Sequence, residues 1–309
     1  MNNMKISIIG AGQVGSTTAF LLALKELADE VVMVDINPSV LGKALDMNCC
    51  SPLEGFRTKI TGSTDYSAIS GSAVVVITAG LARTPGMSRE DLLLKNKEIV
   101  EGAASKIKEF SPEAVVIVVT NPLDVMAYVA WKATGFPKQR VMGMAGTLDS
   151  ARLKYFLSEE LGANPREIEG LVLGAHGDSM VAMPALTKIG GKPVGQHLSP
   201  EKLQKIISRT QNCGAEIVNL LKTGSAYYSP ASSVVTMVQS VINDERKVVP
   251  CSVCADGEYG YSGIFLGLPA VLGKDGVEKI IEYPLAPEAK ALLNKSAEET
   301  LKIIQGLAA

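Results

Sequence analysis

Along the first half of the chain, short uninterrupted apolar runs alternate with longer stretches of mixed polarity. Lys5–Ile9, Glu30–Val34, Val74–Thr78 and Val115–Val119 are apolar almost throughout, the pattern of strands buried on both faces. The shorter Lys59–Thr61 and Arg140–Met144 belong to the same series. Between these runs, Val14–Glu26, Pro38–Asn48, Arg89–Phe110 and Pro122–Thr134 have helical character. The alternation predicts an α/β fold: a doubly wound parallel sheet over residues 1–145, covered by helices on both faces.

From residue 146 the pattern changes. Gly146–Arg152 opens a helix, with Thr147 as its N-cap and Leu148, Leu153, Phe156 and Leu157 packed. Leu171-Val172-Leu173 is a short buried strand. Glu201–Lys222 and Ser229–Val241 read as helices, and Lys247–Val253 and Gly263–Leu268 as strands. Asp256-Gly257 and Asp275-Gly276 mark turns, and Pro287–Gln305 is a polar-striped terminal helix. Residues 146–309 therefore read as a mixed α+β domain and not as a second doubly wound unit.

The first candidate chemistry sits between the first strand and the first helix. Gly10-Ala11-Gly12-Gln13-Val14-Gly15 fits G-x-G-x-x-G, the Rossmann turn in which glycines allow a tight bend, close approach of a pyrophosphate and helix–strand contact. The helix N-terminus offers unpaired N–H groups to the phosphates. Asp35 follows Gly15 by 20 residues and ends the second strand. That is the spacing of a carboxylate that accepts from a ribose 2′-hydroxyl. Its charge repels a 2′-phosphate, so the expected cofactor is NAD rather than NADP. Ligands of such sheets bind beyond the carboxyl ends of the strands, where Ala79-Gly80 and Asn121 also lie.

The second candidate is His176, in Gly174-Ala175-His176-Gly177-Asp178, one of two histidines in 309 residues. It follows a buried strand and sits in a glycine-bounded turn. An unperturbed imidazole, with pKa about 6.5, both gives and takes a proton near neutrality. Asp149 and Arg152, at i and i+3, share one face of the helix that opens at Gly146. Gly80–Arg89 reads as a glycine- and proline-punctuated lid that carries Arg83 and Arg89. The Asn121-Pro122 bond is expected to be cis. His197 lies in a turn and reads as a surface residue.

Composition narrows the picture without redirecting it. Hydrophobic content is 47%, and a net charge of −2 gives no general pull toward nucleic acid or an anionic membrane. Apolar runs such as Ala73–Ala79 and Ala114–Val119 are far too short to span a bilayer, and no signal peptide is expected ahead of Met4. Five cysteines without framework spacing suit a reducing cytoplasm. Cys251-Ser-Val-Cys254 has no second pair and no nearby histidine, so no metal site is expected.

Taken together, Gly10–Gly15 with Asp35, Arg83 with Arg89, Thr120-Asn121-Pro122, Leu148–Arg152, Gly174–Asp178 and Gly224-Ser225-Ala226-Tyr227-Tyr228 resemble the lactate/malate dehydrogenases. The likeness is greatest to the bacterial lactate-dehydrogenase-like malate dehydrogenases. It runs from about Lys5 through the C-terminal helix. Ala175 and Thr147 depart mildly from the family's usual residues, and neither removes a functional group. The resemblance implies His176 as general acid and base, with Asp149 holding its second ring nitrogen. It implies Arg152 on the substrate C1 carboxylate, Arg89 polarising the reacting C–O bond, and Asn121 orienting substrate and base. It also implies that Thr78, Ala79, Gly80, Asn96, Val119, Thr120 and Asn121 join Gly10–Gly15 and Asp35 around NAD, and that the chain forms a homo-oligomer. Arg83 then decides the substrate. A 2-hydroxy monocarboxylate is satisfied by Arg152 and Arg89, so a third cation calls for a second carboxylate, as in malate and oxaloacetate. A lactate or other 2-hydroxy acid dehydrogenase, and a non-catalytic NAD-sensing protein, are the alternatives at this stage.

Overall fold

The computed structural model describes residues 4–81 and 88–308. In chain order the first half comprises β1 (Lys5–Ile9), α1 (Gln13–Leu24), β2 (Glu30–Val34), α2 (Ser39–Cys49), the single turn α3 (Ser51–Glu54), β3 (Lys59–Ser63) and β4 (Val74–Ile77). It continues with α4 (Arg89–Phe110), β5 (Val115–Val118), α5 (Leu123–Thr134), β6 (Val141–Gly143) and α6 (Ala145–Leu161). The six strands are parallel and lie in the order β3-β2-β1-β4-β5-β6. Strands β4 and β5 are buried along their whole length, as expected of strands with helices on both faces. The order reverses between β1 and β4, and a crevice opens there beyond the strand ends. The expected doubly wound α/β unit is present, with element ends within a few residues of the sequence reading.

The second half comprises β7 (Ile168–Glu169), β8 (Val172–Leu173), β9 (Val181–Ala182), β10 (Lys188–Ile189), β11 (Lys192–Pro193), α7 (Pro200–Leu221), α8 (Tyr228–Ile242), β12 (Lys247–Asp256), β13 (Ser262–Gly273), β14 (Gly276–Ile280) and α9 (Pro287–Ala308). Strands β12, β13 and β14 form an antiparallel meander, and β12 joins the edge of β6. The result is one nine-stranded sheet, β14-β13-β12-β6-β5-β4-β1-β2-β3, shared by both halves of the chain. The sequence reading placed a parallel sheet first and a mixed α+β part after it; the structure adds that the antiparallel strands of the second part extend that sheet. The join rests on one residue pair, Ser252 with Gly143. A Cβ on Gly143 would lie 2.5 Å from Leu123 Cδ2 and 3.0 Å from Ser252 Cβ, so glycine is what admits the extra strand.

Two further differences have local causes. β13 runs 12 residues, Ser262–Gly273, beyond the expected Gly263–Leu268; Pro269 within it lies opposite Pro250 of β12. Thr147 is not the cap of α6. The helix begins two residues earlier at Ala145, and the Thr147 hydroxyl donates to Pro250 O of β12 at 2.7 Å. Gly146 makes that early start possible, because a Cβ there would stand 2.9 Å from Val172 O. No helix among the described residues is long and apolar enough to cross a membrane.

Glycine also lets β13 approach the turn that carries His176. The Gly174 N–H donates to Gly267 O at 2.9 Å, and a Cβ on Gly267 would fall 2.3 Å from Gly174 O. Replacing Gly267 by alanine should destabilise the protein by about 1–3 kcal/mol through overpacking. Gly102 is exposed in α4 with nothing within 4 Å of a built Cβ; there alanine should stabilise by about 0.5–1 kcal/mol, because glycine is a poor helix former. Denaturant unfolding of both variants beside the unmutated protein checks the opposite signs.

Candidate functional site

The crevice between β1 and β4 is shaped by three glycines with different jobs. Gly10 is at φ +102°, and a Cβ there would lie 2.5 Å from Ala79 N, so the turns after β1 and β4 touch backbone to backbone. A Cβ on Gly15 would lie 1.9 Å from Gly10 O, which folds the start of α1 against the turn. Gly12 has nothing within 4 Å of a built Cβ and faces open space. Gln13 and Val14 form the first turn of α1, which carries no acidic residue and presents its unpaired N–H groups to that space. Asp35, at the end of β2, accepts from the Ala11 N–H at 2.6 Å and from the Asn37 N–H at 2.9 Å. Lys43 donates to Ala11 O. A dinucleotide fits this cradle: the space over Gly12 suits a pyrophosphate, and Asp35 stands where a ribose hydroxyl can donate to it.

Next to the cradle, side chains clamp the strand ends together. The Thr78 hydroxyl donates to Gly10 O at 2.8 Å, and the Thr120 hydroxyl to Ala79 O at 2.6 Å. Asn96, on α4, is buried; its Oδ1 accepts from the Leu81 N–H at 2.8 Å and its Nδ2 donates to Asn121 O at 2.7 Å. Of the residues assigned to the cofactor, Asn96 therefore spends its amide on the backbone on either side of the crevice. Gly80 lies against Thr120 and Asn96, for a Cβ there would meet Thr120 Cγ2 at 2.5 Å and Asn96 Oδ1 at 3.3 Å. The Asn121–Pro122 bond is cis.

His176 enters from the other half of the chain. β8 and β9 form a two-stranded hairpin, and Gly174 and Gly177 turn it at φ +82° and +117°. Three successive N–H groups of this turn are each held by a different element. Gly174 donates to β13, Ala175 to Ser296 Oγ of α9 at 2.8 Å, and His176 to Asp124 Oδ2 of α5 at 2.8 Å. The ring is held by a fourth, since His176 Nδ1 lies 2.9 Å from Asp149 Oδ2 of α6. Asp149 is only 2% exposed and the imidazole 14%. Burial by itself would lower the His176 pKa, but the Asp149 carboxylate, with help from Asp124, outweighs it and raises the value above the ordinary imidazole range.

Arg152 completes the cluster. Its side chain is 10% exposed and its Nη1 is 3.8 Å from Asp149 Oδ1. Arg152 Nε and Asp149 Oδ1 are buried without a hydrogen-bond partner, an arrangement that an incoming carboxylate would relieve at the guanidinium. Their burial sets Asp149 and Arg152 apart from a solvent-exposed ion pair within one helix. Arg152 and His176 open into one cavity of about 580 Å³ with Val14, Thr78, Asn121 and Ala226. A larger hollow of about 890 Å³ lies elsewhere, among Lys154, Arg166 and Lys188, without a histidine–carboxylate pair.

Arg89 is the first residue of α4, whose start is fixed by a capping box between Ser88 and Asp91. Its side chain, like all of residues 82–87, which include Arg83 and the middle of the expected lid, lies outside the described residues. Val119 lines the cavity at the end of β5. His197 is exposed, and Cys251 and Cys254 are buried free thiols. Sequence reasoning missed Asp124, Ser296 and Gly267, the residues that fix the histidine turn. No spacing could have shown them, because they lie 52, 121 and about 90 residues from the groups they hold.

Residues 4–143 match the family model of the lactate/malate dehydrogenase NAD binding domain, and residues 146–309 that of the lactate/malate dehydrogenase alpha/beta C-terminal domain. The chain is 50% identical over 306 residues to malate dehydrogenase of Roseiflexus sp., covering 99% of each. Among solved structures it is similar to Cryptosporidium parvum malate dehydrogenase, with 42% identity, TM-score 0.96 and 99% of each chain covered. It is equally similar in fold to a lactate dehydrogenase of that organism complexed with lactic acid and nicotinamide adenine dinucleotide, with 38% identity, TM-score 0.96 and 100% and 99% covered.

The glycine geometry separates two outcomes of substitution. Gly12→Val should fold normally and weaken NADH binding by about tenfold or more, because it fills the open side of the cradle. Gly15→Ala should lower the unfolding temperature, because its Cβ meets backbone. Fluorescence titration with NADH and thermal melts of both variants check this.

Proposed function

The chain belongs to the lactate/malate dehydrogenase family, and from that premise we propose that it is an NAD-dependent malate dehydrogenase interconverting malate and oxaloacetate. The observation that carries the reading is the buried His176–Asp149 pair opening, with Arg152, into the cavity beside the glycine cradle. NAD held in the glycine cradle would supply the hydride acceptor for malate oxidation and the hydride donor for oxaloacetate reduction. In oxidation, neutral His176 takes the hydroxyl proton as the C–H bond breaks and the carbonyl forms. In reduction, the imidazolium gives that proton back to the forming alkoxide. Asp149 holds Nδ1–H, fixes the tautomer that leaves Nε2 free, and stabilises the imidazolium. Arg152 grips the C1 carboxylate as a fork. Arg89 polarises the reacting C–O bond, and Asn121 orients substrate and base.

Arg83, six residues before Arg89 in the chain, binds the second carboxylate in this reading. Ala226 in the cavity wall leaves room for it. The division of labour follows the chain, with residues 1–145 holding NAD and residues 146–309 supplying His176, Asp149 and Arg152. The protein works as a homo-oligomer in the cytoplasm. Support for a second copy comes from Leu41 and Leu45, one helical turn apart on α2 and both exposed; support for a reducing compartment comes from five free cysteines.

NADH oxidation with oxaloacetate and with pyruvate tests the reaction, and oxaloacetate should be strongly preferred. Arg83→Gln should lower kcat/KM for oxaloacetate by about two to three orders of magnitude and raise it for pyruvate. That is short of the roughly 10⁴–10⁵ a rigid polar site can reach, because water replaces part of the lost contact. Arg152→Gln should damage both substrates. An unchanged substrate ratio in Arg83→Gln would remove Arg83 from the site.

The pH profile has a defined sign. His176 is raised, so imidazolium persists above the ordinary value of about 6.5. Reduction should hold its plateau beyond that pH and fall as pH rises through the His176 value, while oxidation rises along the same limb. His176→Asn should abolish most turnover while NADH still binds. NADH should be preferred over NADPH, and Asp35→Ser should narrow that gap.

A further inference from the structure

Lys43 lies on α2 between the buried residues Val40 and Ala44. Its half-buried side chain reaches back to a residue 32 positions earlier, where its ammonium donates to Ala11 O inside the glycine turn. The Ser16 hydroxyl donates to the same oxygen at 2.9 Å. On the other side of Ala11, its N–H donates to Asp35 Oδ2 at 2.6 Å. One residue of the turn is thus held between a carboxylate and an ammonium. Asp46, an exposed carboxylate on the same face of α2, would be the ordinary partner for a surface lysine. Lys43 reaches past it to a backbone carbonyl, and ordering so long a side chain costs entropy. Its placement calls for a use.

We propose that Lys43 is a cofactor-binding residue that acts on the pyrophosphate of NAD in two ways. The first works through a peptide plane. Ala11 C=O and Gly12 N–H belong to one trans peptide unit and point in opposite directions. Pinning the oxygen therefore fixes the direction of the Gly12 N–H, which has no backbone acceptor among the described residues. That N–H borders the open space over Gly12. With the unpaired N–H groups of the first turn of α1 it makes a row of donors for phosphate oxygens.

The second way is charge. An ammonium has three donors, and among the described residues Ala11 O is the one hydrogen-bond acceptor of Lys43. Asp35 already brings a negative charge to this turn, and a pyrophosphate adds more. The N-terminus of α1 offsets only about half a charge, whereas Lys43 supplies a full one. This role rests on the dinucleotide reading of the cradle and is independent of the substrate.

Fluorescence titration of the full-length protein with NADH reads the effect without turnover. Lys43→Met keeps the apolar stem and removes the ammonium, and the NADH Kd should rise about tenfold. Lys43→Arg keeps charge and donors and should bring Kd back to within about threefold. Ser16→Ala removes the other donor to Ala11 O but no charge, and should raise Kd only about two- to threefold. Added salt should weaken NADH binding more steeply in the unmutated protein and in Ser16→Ala than in Lys43→Met. Displacement of NADH by two fragments locates the effect. Lys43→Met should weaken ADP-ribose, which contains the pyrophosphate, about tenfold, and adenosine, which lacks it, by less than about twofold. Thermal melts check folding, and Lys43→Gln takes the place of the methionine variant if that one unfolds. A variant Kd within about twofold of the unmutated value, or equal losses for ADP-ribose and adenosine, would overturn the proposal and leave Lys43 a staple between α2 and the turn. Failure of the unmutated protein to bind NADH would overturn it together with the cofactor. Tight NADH binding without turnover of oxaloacetate or pyruvate would overturn only the proposed reaction.

Discussion

Three consecutive backbone amides, of Gly174, Ala175 and His176, donate to β13, α9 and α5 respectively, and the His176 ring is bonded to α6. The two bonds to Gly267 O and Ser296 Oγ are ordinary, worth about 1 kcal/mol net each, and those to the Asp124 and Asp149 carboxyls are stronger. Together they over-determine the position of one imidazole. A turn between two-residue strands has little stability of its own, and its geometry is borrowed from the four elements around it. Much of the second half of the chain serves to bring those elements together.

The same constraint explains why the sheet is continuous. β12 and β13 extend the parallel sheet beyond β6, which puts Gly267 under the histidine turn and Ser252 beside Asp124. The glycines at 143, 146 and 267 stand where backbone or strand approaches closely, and a methyl group at any of them would push the layers apart. Close packing of this kind transmits small displacements, so a change in β13 reaches the His176 ring without touching it.

Electrostatics is the other organising term. Asp149 and Arg152 are nearly buried and only partly satisfied by each other, at 3.8 Å and with unpaired atoms on both. A site in this state is preorganised for a ligand that brings a carboxylate and a proton-bearing oxygen. Arg152 lines the same cavity as Thr78 and Thr120, whose hydroxyls hold the strand ends at the β1–β4 reversal in place. The glycine cradle and the His176–Asp149 pair thus meet at one place, although their residues come from opposite halves of the chain.

The sequence by itself determined the parallel α/β unit, because uninterrupted apolar strands between helices have few other solutions. It also determined the glycine turn with Asp35, whose chemistry is confined to one β-α-β segment and is therefore visible as spacing. The Asp149–Arg152 face was legible for the same reason, being set by the helical repeat. Tertiary structure alone decided that Thr147 bonds across to Pro250, that Asn96 latches Leu81 to Asn121, and that Asp124, Ser296 and Gly267 hold His176. These contacts join residues far apart in the chain. Their geometry depends on how helices and strands pack, and local periodicity records only which face of an element is buried, not what it is buried against.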